Sequence, residues 1–264
     1  MASVSSSLAS KLTSFSKCNF LSSSDLNSSQ ILSLFELSKQ LKTGNRRIDL
    51  GNRVLGLIFK KASTRTRVSF QVAMARLGGQ TVDLNPQITQ LDRGEPIKDT
   101  ARVLSRYCDA LAIRTFSQQE IEEYGEWSTI PVINALTDLE HPCQALADYL
   151  TIQEKFGELK GINLSYIGDG NNVANSLMMC GAMLGVNVQV CSPEGFKADS
   201  QIVERAKSLS EFGSKISISN DPLKAVKEAQ VVYTDVWASM GQKEEIDERI
   251  KIFSPFQVNS ELVK

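Results

Sequence analysis

The sequence predicts an α/β protein of two parallel-sheet α/β domains joined by a helix, and three observations carry that expectation. From residue 53 onward, short apolar runs alternate with segments of helical period, the βαβ succession that implies a parallel sheet with helices on its faces. The alternation occurs as two series, and a single helical pattern from Gln144 to Phe156 separates them. With 264 residues, 42% of them hydrophobic, the chain has material for two such cores.

Taken in order, the chain opens on a serine-rich stretch that is poor in acids and holds Lys11 and Lys17 but no arginine. Residues 1–17 are read as an N-terminal extension, disordered or weakly helical. A plastid transit peptide is the alternative, and cytoplasm the default compartment. Helical periodicity begins near Asp25, where Ile31, Leu32, Leu34, Phe35, Leu37 and Leu41 share an apolar face. The first series places strands at 54–59, 81–84, 110–114 and 131–134, and helices at 67–78, 98–107 and 118–125. Gly78-Gly79 supplies a helix stop. The polar, turn-rich stretch from Asn85 to Pro96 breaks the alternation and reads as a substrate-covering loop.

The second series places strands at 162–167, 186–191, 215–219 and 231–235, and helices at 172–184, 198–209 and 222–228. The domain boundaries that follow are 18–147 and 148–264, with a cleft between them of the kind that holds small molecules.

Composition excludes several classes of function. A formal charge of −1, a pI near 6.0 and the lack of any basic block argue against nucleic acid or an anionic membrane as partner. No apolar run approaches the roughly 18–20 residues that span a bilayer. The five cysteines are odd in number and form no C-x-x-C pair, and His141 is the only histidine, so neither a disulfide framework nor a zinc site is expected.

Five clusters carry chemistry. Ser63-Thr64-Arg65-Thr66-Arg67 lies between the strand at 54–59 and the helix that follows. A hydroxyl- and arginine-rich turn at a helix start makes an anion site, because free N–H groups and guanidinium forks match phosphate oxygens. Arg114 ends the strand Ala110–Ile113, placing it where α/β sheets bind ligands; a surface ion-pair partner is the plainer reading. In His141-Pro142-Cys143-Gln144, imidazole and amide donors sit on a rigid turn into a helix, though a capping histidine would look the same.

Gly168-Asp169-Gly170-Asn171-Asn172 invites a dinucleotide reading, with Glu194 imitating the ribose-binding acid, but the third glycine is missing. Finally, Asp235-Val236-Trp237-Ala238-Ser239-Met240-Gly241 ends a strand with an acid and a hydroxyl suited to the ammonium and polar head of an amino acid.

In this order and approximate spacing the motifs resemble those of the ornithine carbamoyltransferases, and the resemblance covers nearly all of residues 19–264. STRTR with HPxQ marks carbamoyltransferases generally; DGNN and D-x-x-x-S-M-G mark the ornithine branch. The resemblance implies that Ser63, Thr64, Arg65 and Thr66 hold the phosphate of carbamoyl phosphate, with Arg67 in support. It gives Arg114, His141 and Gln144 the task of polarising the carbamoyl group, Arg114 and His141 being the catalytic pair. Gln90 would reach a neighbouring subunit's site in a homotrimer, although Asp92 stands where the family often has glycine. Asn172, Asp235, Ser239 and the Met240 backbone would bind L-ornithine. The implied reaction gives citrulline and phosphate without a metal or cofactor, within arginine metabolism.

Aspartate, putrescine and N-acetylornithine carbamoyltransferases are the alternatives, and the acid of D-x-x-x-S-M-G argues against each. The family's His-Cys-Leu-Pro segment, its following arginine and its C-terminal helix do not occur before Lys264. A fragment or shortened relative is therefore expected, one that binds carbamoyl phosphate weakly and turns over little.

Overall fold

The computed structural model of the protein describes residues 18–85, 94–237 and 246–264. The chain divides into two compact units, Met1–Asp138 and Leu139–Lys264, each built on a four-stranded parallel sheet.

In the first unit a 3-10 turn (Ser23–Asp25) precedes α1 (Ser28–Lys42). A capping box fixes the start of α1: Asn27 Oδ1 accepts from the Gln30 N–H and Gln30 Oε1 from the Asn27 N–H, both at 2.9 Å. Then follow β1 (Val54–Phe59), α2 (Arg65–Arg76), β2 (Gln80–Leu84), α3 (Ile97–Leu104), β3 (Ala110–Arg114), α4 (Gln118–Trp127) and β4 (Val132–Leu136). The strand order is β2-β1-β3-β4.

Along β1 the side chains alternate between two cores. Leu55, Leu57 and Phe59 join Ala112 and Ala135 under Phe70 and Met74 of α2, while Ile58 joins Leu111, Ile113, Ile121 and Tyr124. A parallel sheet covered by helices requires both faces to be apolar. Phe20 pairs with the outer edge of β4, donating its N–H to the Val132 C=O and accepting from the Asn134 N–H, each at 2.8 Å.

The second unit runs α5 (Pro142–Phe156), β5 (Asn163–Ile167), α6 (Asn172–Leu184), β6 (Asn187–Cys191), α7 (Ser200–Ser208), β7 (Ile216–Ser219), α8 (Pro222–Val226), β8 (Val231–Thr234) and α9 (Ile246–Phe253), with a 3-10 turn at Ser254–Phe256. Its strand order is β7-β6-β5-β8. At its centre lies α6, buried without interruption from Val173 to Leu184. A Cβ on Gly181 would stand 2.4 Å from the Tyr149 hydroxyl and 2.5 Å from Val188 Cγ2, so the helix can approach its neighbours only with glycine there. The Tyr149 hydroxyl in turn donates to the Leu177 C=O at 2.6 Å.

Every strand expected from sequence forms, with ends displaced by at most two residues. The helix α2 begins at Arg65, earlier than the expected 67, because its first turn carries arginines and a threonine, which show no apolar period. The helix α9 and the turn after it add to the elements expected from sequence. Among the described residues, no helix is long and apolar enough to cross a membrane. Most of the expected loop, 86–93, and the segment 238–245 lie outside the described residues, and with them Gln90, Ser239 and Met240.

Candidate active site

In each sheet the topology marks one crevice. Ligands of open α/β sheets bind at the carboxyl ends of two neighbouring strands whose connections leave in opposite directions. In the order β2-β1-β3-β4 that place is β1 beside β3; in β7-β6-β5-β8 it is β5 beside β8. Four of the five sequence motifs fall on these strand ends, and the fifth, His141 to Gln144, follows β4.

At the first crevice, Arg114 pairs in register with Phe59 at the end of β1, and its C=O accepts from the Lys60 N–H at 2.9 Å. The β3–β4 register shifts between Ile113 and Arg114, an irregularity of the kind that re-aims a side chain. Ser63 and Thr64 form the turn, and α2 starts at Arg65. No side chain caps that helix: Thr64 makes no capping bond, and the first helical bond runs from the Val68 N–H to the Thr64 C=O at 3.0 Å. The N–H groups of Arg65, Thr66 and Arg67 therefore lack intrahelical acceptors.

The charges around this turn separate into two kinds. Lys60 pairs with Glu120, Lys61 with Asp138, and Arg67 with Asp83 while lying over the Phe59 ring. These cations are neutralised in place. Arg65 and Arg114 have no carboxylate partner among the described residues. Arg114 is 8% exposed, and its Nε is sealed from solvent with no hydrogen-bond partner among the described residues. Burial first, then the neighbouring Arg65, push the Arg114 pKa below the usual arginine value. A buried guanidinium that feels the charge of a second one, beside an uncapped helix start, is an arrangement completed by an anion.

The second crevice has the opposite character. Gly170 follows β5, and a Cβ there would lie 2.2 Å from the Ala198 N, so close packing against the Lys197–Ala198 backbone explains the glycine. Asn171 caps α6, its Oδ1 accepting from the N–H groups of Val173 at 3.0 Å and Ala174 at 3.3 Å. Those are the donors that a dinucleotide pyrophosphate would use, and the dinucleotide reading fails on them. Asn171 Nδ2 also donates to Asp235 Oδ2 at 3.5 Å, and the Tyr166 hydroxyl donates to Asn171 Oδ1 at 3.2 Å. Asn172, the first residue of α6, and Asp235, just past β8, are both half-buried at this crevice.

His141 and Gln144 open α5, which packs in the second unit. His141 is the N-cap residue and Pro142 occupies the first helical position. The turn is tied to α6, since the His141 N–H donates to Ser176 Oγ at 2.9 Å and Asn175 Nδ2 to the Leu139 C=O at 3.0 Å. Glu140, 3% exposed, accepts from Ser176 Oγ at 3.3 Å. Gln144 Nε2 donates to Asp148 Oδ1 at 3.0 Å. Burial pushes the Cys143 thiol up to about 12, which leaves it an unreactive packing residue.

Two acids and one arginine join the site without a signal in the motif pattern: Glu140, Asp148 and Arg249. Arg249 Nη1 donates to Asp169 Oδ2 at 2.7 Å and to the Trp237 C=O at 2.6 Å, with its guanidinium over the Phe196 ring at 4.8 Å. It thus ties the glycine-rich turn to the chain leaving β8. The one trace of it in the sequence is an arginine four residues from Phe253 on one helix face.

Comparison with known proteins also divides the chain in two, but places the break after α5 and not before it. Residues 18–154 match the family model described as aspartate/ornithine carbamoyltransferase, carbamoyl-P binding domain, and residues 160–264 match its Asp/Orn binding domain. A protein of Prochlorococcus marinus described as ornithine carbamoyltransferase is 68% identical over 93% of this chain and 77% of its own length. One of Parasynechococcus marenigrum, described likewise, is 61% identical over 100% of this chain and 83% of its own. Among solved structures, ornithine carbamoyltransferase from Pyrococcus furiosus superposes with a TM-score of 0.88 at 50% identity, covering 94% of this chain and 80% of that one.

Proposed function

The chain belongs to the aspartate/ornithine carbamoyltransferase family, and from that premise we propose how its residues divide the work. It transfers the carbamoyl group of carbamoyl phosphate to the δ-amine of L-ornithine, yielding L-citrulline and phosphate. In our reading 18–147 serves carbamoyl phosphate and 148–264 serves ornithine, although helix α5 packs with the second compact unit.

The observation that carries the phosphate assignment is the buried Arg114, without a carboxylate partner among the described residues and under the charge of Arg65, beside the uncapped start of α2. Ser63, Thr64, Arg65 and Thr66 hold the phosphate through hydroxyls, backbone N–H groups and one guanidinium fork. Arg114, with His141 and Gln144, donates to the carbamoyl oxygen. As the neutral δ-amine attacks, negative charge grows on that oxygen, and donors already fixed in place stabilise it without reorganising. Phosphate then departs with its charge balanced by Arg65 and the helix N-terminus.

Asp235 and Asn172 orient the ornithine head; Ser239, the Met240 backbone and Gln90 are assigned by family likeness alone. A homotrimer is likewise assigned by family likeness alone. A cytoplasmic role in arginine biosynthesis accords with this chemistry. Calorimetry decides the phosphate assignment: Arg65→Ala weakens carbamoyl phosphate binding more than Asp235→Asn does, and an unchanged affinity would refute it.

A further inference from the structure

Gln144 and Asp148 stand one turn apart on α5, joined by the bond from Gln144 Nε2 to Asp148 Oδ1 at 3.0 Å. The other carboxylate oxygen, Oδ2, is sealed from solvent. Among the described residues, the groups near this carboxylate are few. Tyr233 on β8 turns its hydroxyl toward it, Asp235 lies just beyond the same strand, and Tyr149 shares its helix. No lysine, arginine or histidine among the described residues pairs with it. Tyr233 stacks on Tyr166 at 5.7 Å between ring centroids, and Tyr166 reaches the α6 cap, so the carboxylate belongs to a polar run leading to Asp235.

Such a carboxylate does not serve the fold. Burial, and next to it the charge of Asp235, push the Asp148 pKa up to about 6 against the pull of Gln144 and Tyr233. A neutral residue of the same size would remove that cost. What a carboxylate does here, and a neutral residue cannot, is discriminate the two ends of an amide. Ionised, it only accepts hydrogen bonds, so it can hold Gln144 by the NH₂ end alone. The carbonyl oxygen and the remaining N–H of Gln144 then point in fixed directions.

We propose that Asp148 is the positioning residue for Gln144, its ionised carboxylate holding the amide in the single orientation that serves the carbamoyl group. The inference rests on the reading that Gln144 contacts carbamoyl phosphate. It carries a direction with pH. When Asp148 takes up a proton it can donate to Gln144 Oε1, the amide can rotate by half a turn, and orientation is lost. Ligand binding therefore weakens as pH falls through about 6.

Two measurements on the full chain test this. In a ¹⁵N-labelled sample, the side-chain NH₂ resonances of Gln144, identified by their loss in Gln144→Ala, shift with a midpoint near pH 6, and Asp148→Asn abolishes the shift. At pH 8, calorimetry with carbamoyl phosphate finds Asp148→Asn weaker by about tenfold, the scale of one charge-assisted hydrogen bond. The double variant binds no more weakly than Gln144→Ala, and Asp148→Asn melts no lower than the parent at that pH.

Wild-type affinity in Asp148→Asn beside an impaired Gln144→Ala would overturn the positioning role while leaving the function of Gln144 intact. So would additive losses in the double variant, or an amide signal of the parent that ignores pH between 5 and 7. Unchanged affinity in Gln144→Ala would instead remove the reading on which the inference stands.

Discussion

The two crevices share a topology and differ in charge. Each lies where a parallel sheet reverses its winding, and each is floored by a helix that starts just beyond a strand end. At the first, Thr64 leaves the start of α2 uncapped and two arginines stand without carboxylates among the described residues. At the second, Asn171 consumes the leading N–H groups of α6, Asp235 hydrogen-bonds to that cap, and Arg249 is matched by Asp169. The first presents a positive, unsaturated surface suited to a phosphate. The second presents a neutralised helix and a carboxylate suited to an ammonium. In our reading, one capping residue and the pairing of one arginine suit the two crevices to different ligands.

The largest expected effect strikes the unpaired arginine. Arg114→Met should lower the rate of citrulline formation by roughly 10²–10³-fold, the scale of a lost oxyanion donor. Its melting temperature should not fall, because the change removes a buried charge that Arg65 repels. Arg249→Met tests the paired counterpart and should behave in the reverse sense. It strips Asp169 of its partner and should cost about 3 kcal/mol in denaturant unfolding. If both variants lost equal stability, the distinction between an unsaturated and a saturated arginine would collapse.

The helix starts give a smaller contrast. Asn171→Ala should cost about 1 kcal/mol through the lost cap, whereas Thr64→Ala should be neutral in stability and visible only in carbamoyl phosphate affinity. The smallest effect concerns substrate balance. Asp235→Asn should raise the ornithine concentration for half-maximal rate several-fold while carbamoyl phosphate affinity stays within a few-fold, since one half-buried charge near solvent is worth about 1 kcal/mol. Equal losses for both ligands would make Asp235 a structural residue.

The strands are legible in the sequence because each is a short apolar block bounded by turn-formers, as at Val54–Phe59 and Ala110–Ile113. The motif turns are legible because glycine, asparagine and arginine gather at strand ends. Helix starts are less so: the opening of α2 carries no apolar period, so the sequence misplaces its first residue by two, although its hydroxyls and arginines already mark an anion site. Asp148 is unreadable for a deeper reason. At its position on α5 it resembles any surface acid beside the apolar stripe of Ala145, Tyr149 and Ile152. What marks it is Tyr233, eighty-five residues away in the chain, and no local pattern announces a partner at that distance. Arg249 likewise acquires its meaning from Asp169 and Phe196. Gln90, Ser239 and Met240 lie outside the described residues and stay as sequence-based assignments.

The unbroken burial of α6 has a kinetic counterpart. A helix enclosed from Val173 to Leu184 can release its amide protons to solvent only when the whole second unit opens, so it belongs among the slowest-exchanging segments of the chain. Asn172 and Ser176 ride on its first two turns. The part of the second unit assigned to ornithine is therefore anchored to its most persistent element, and it keeps its geometry through the fluctuations that fray the surface.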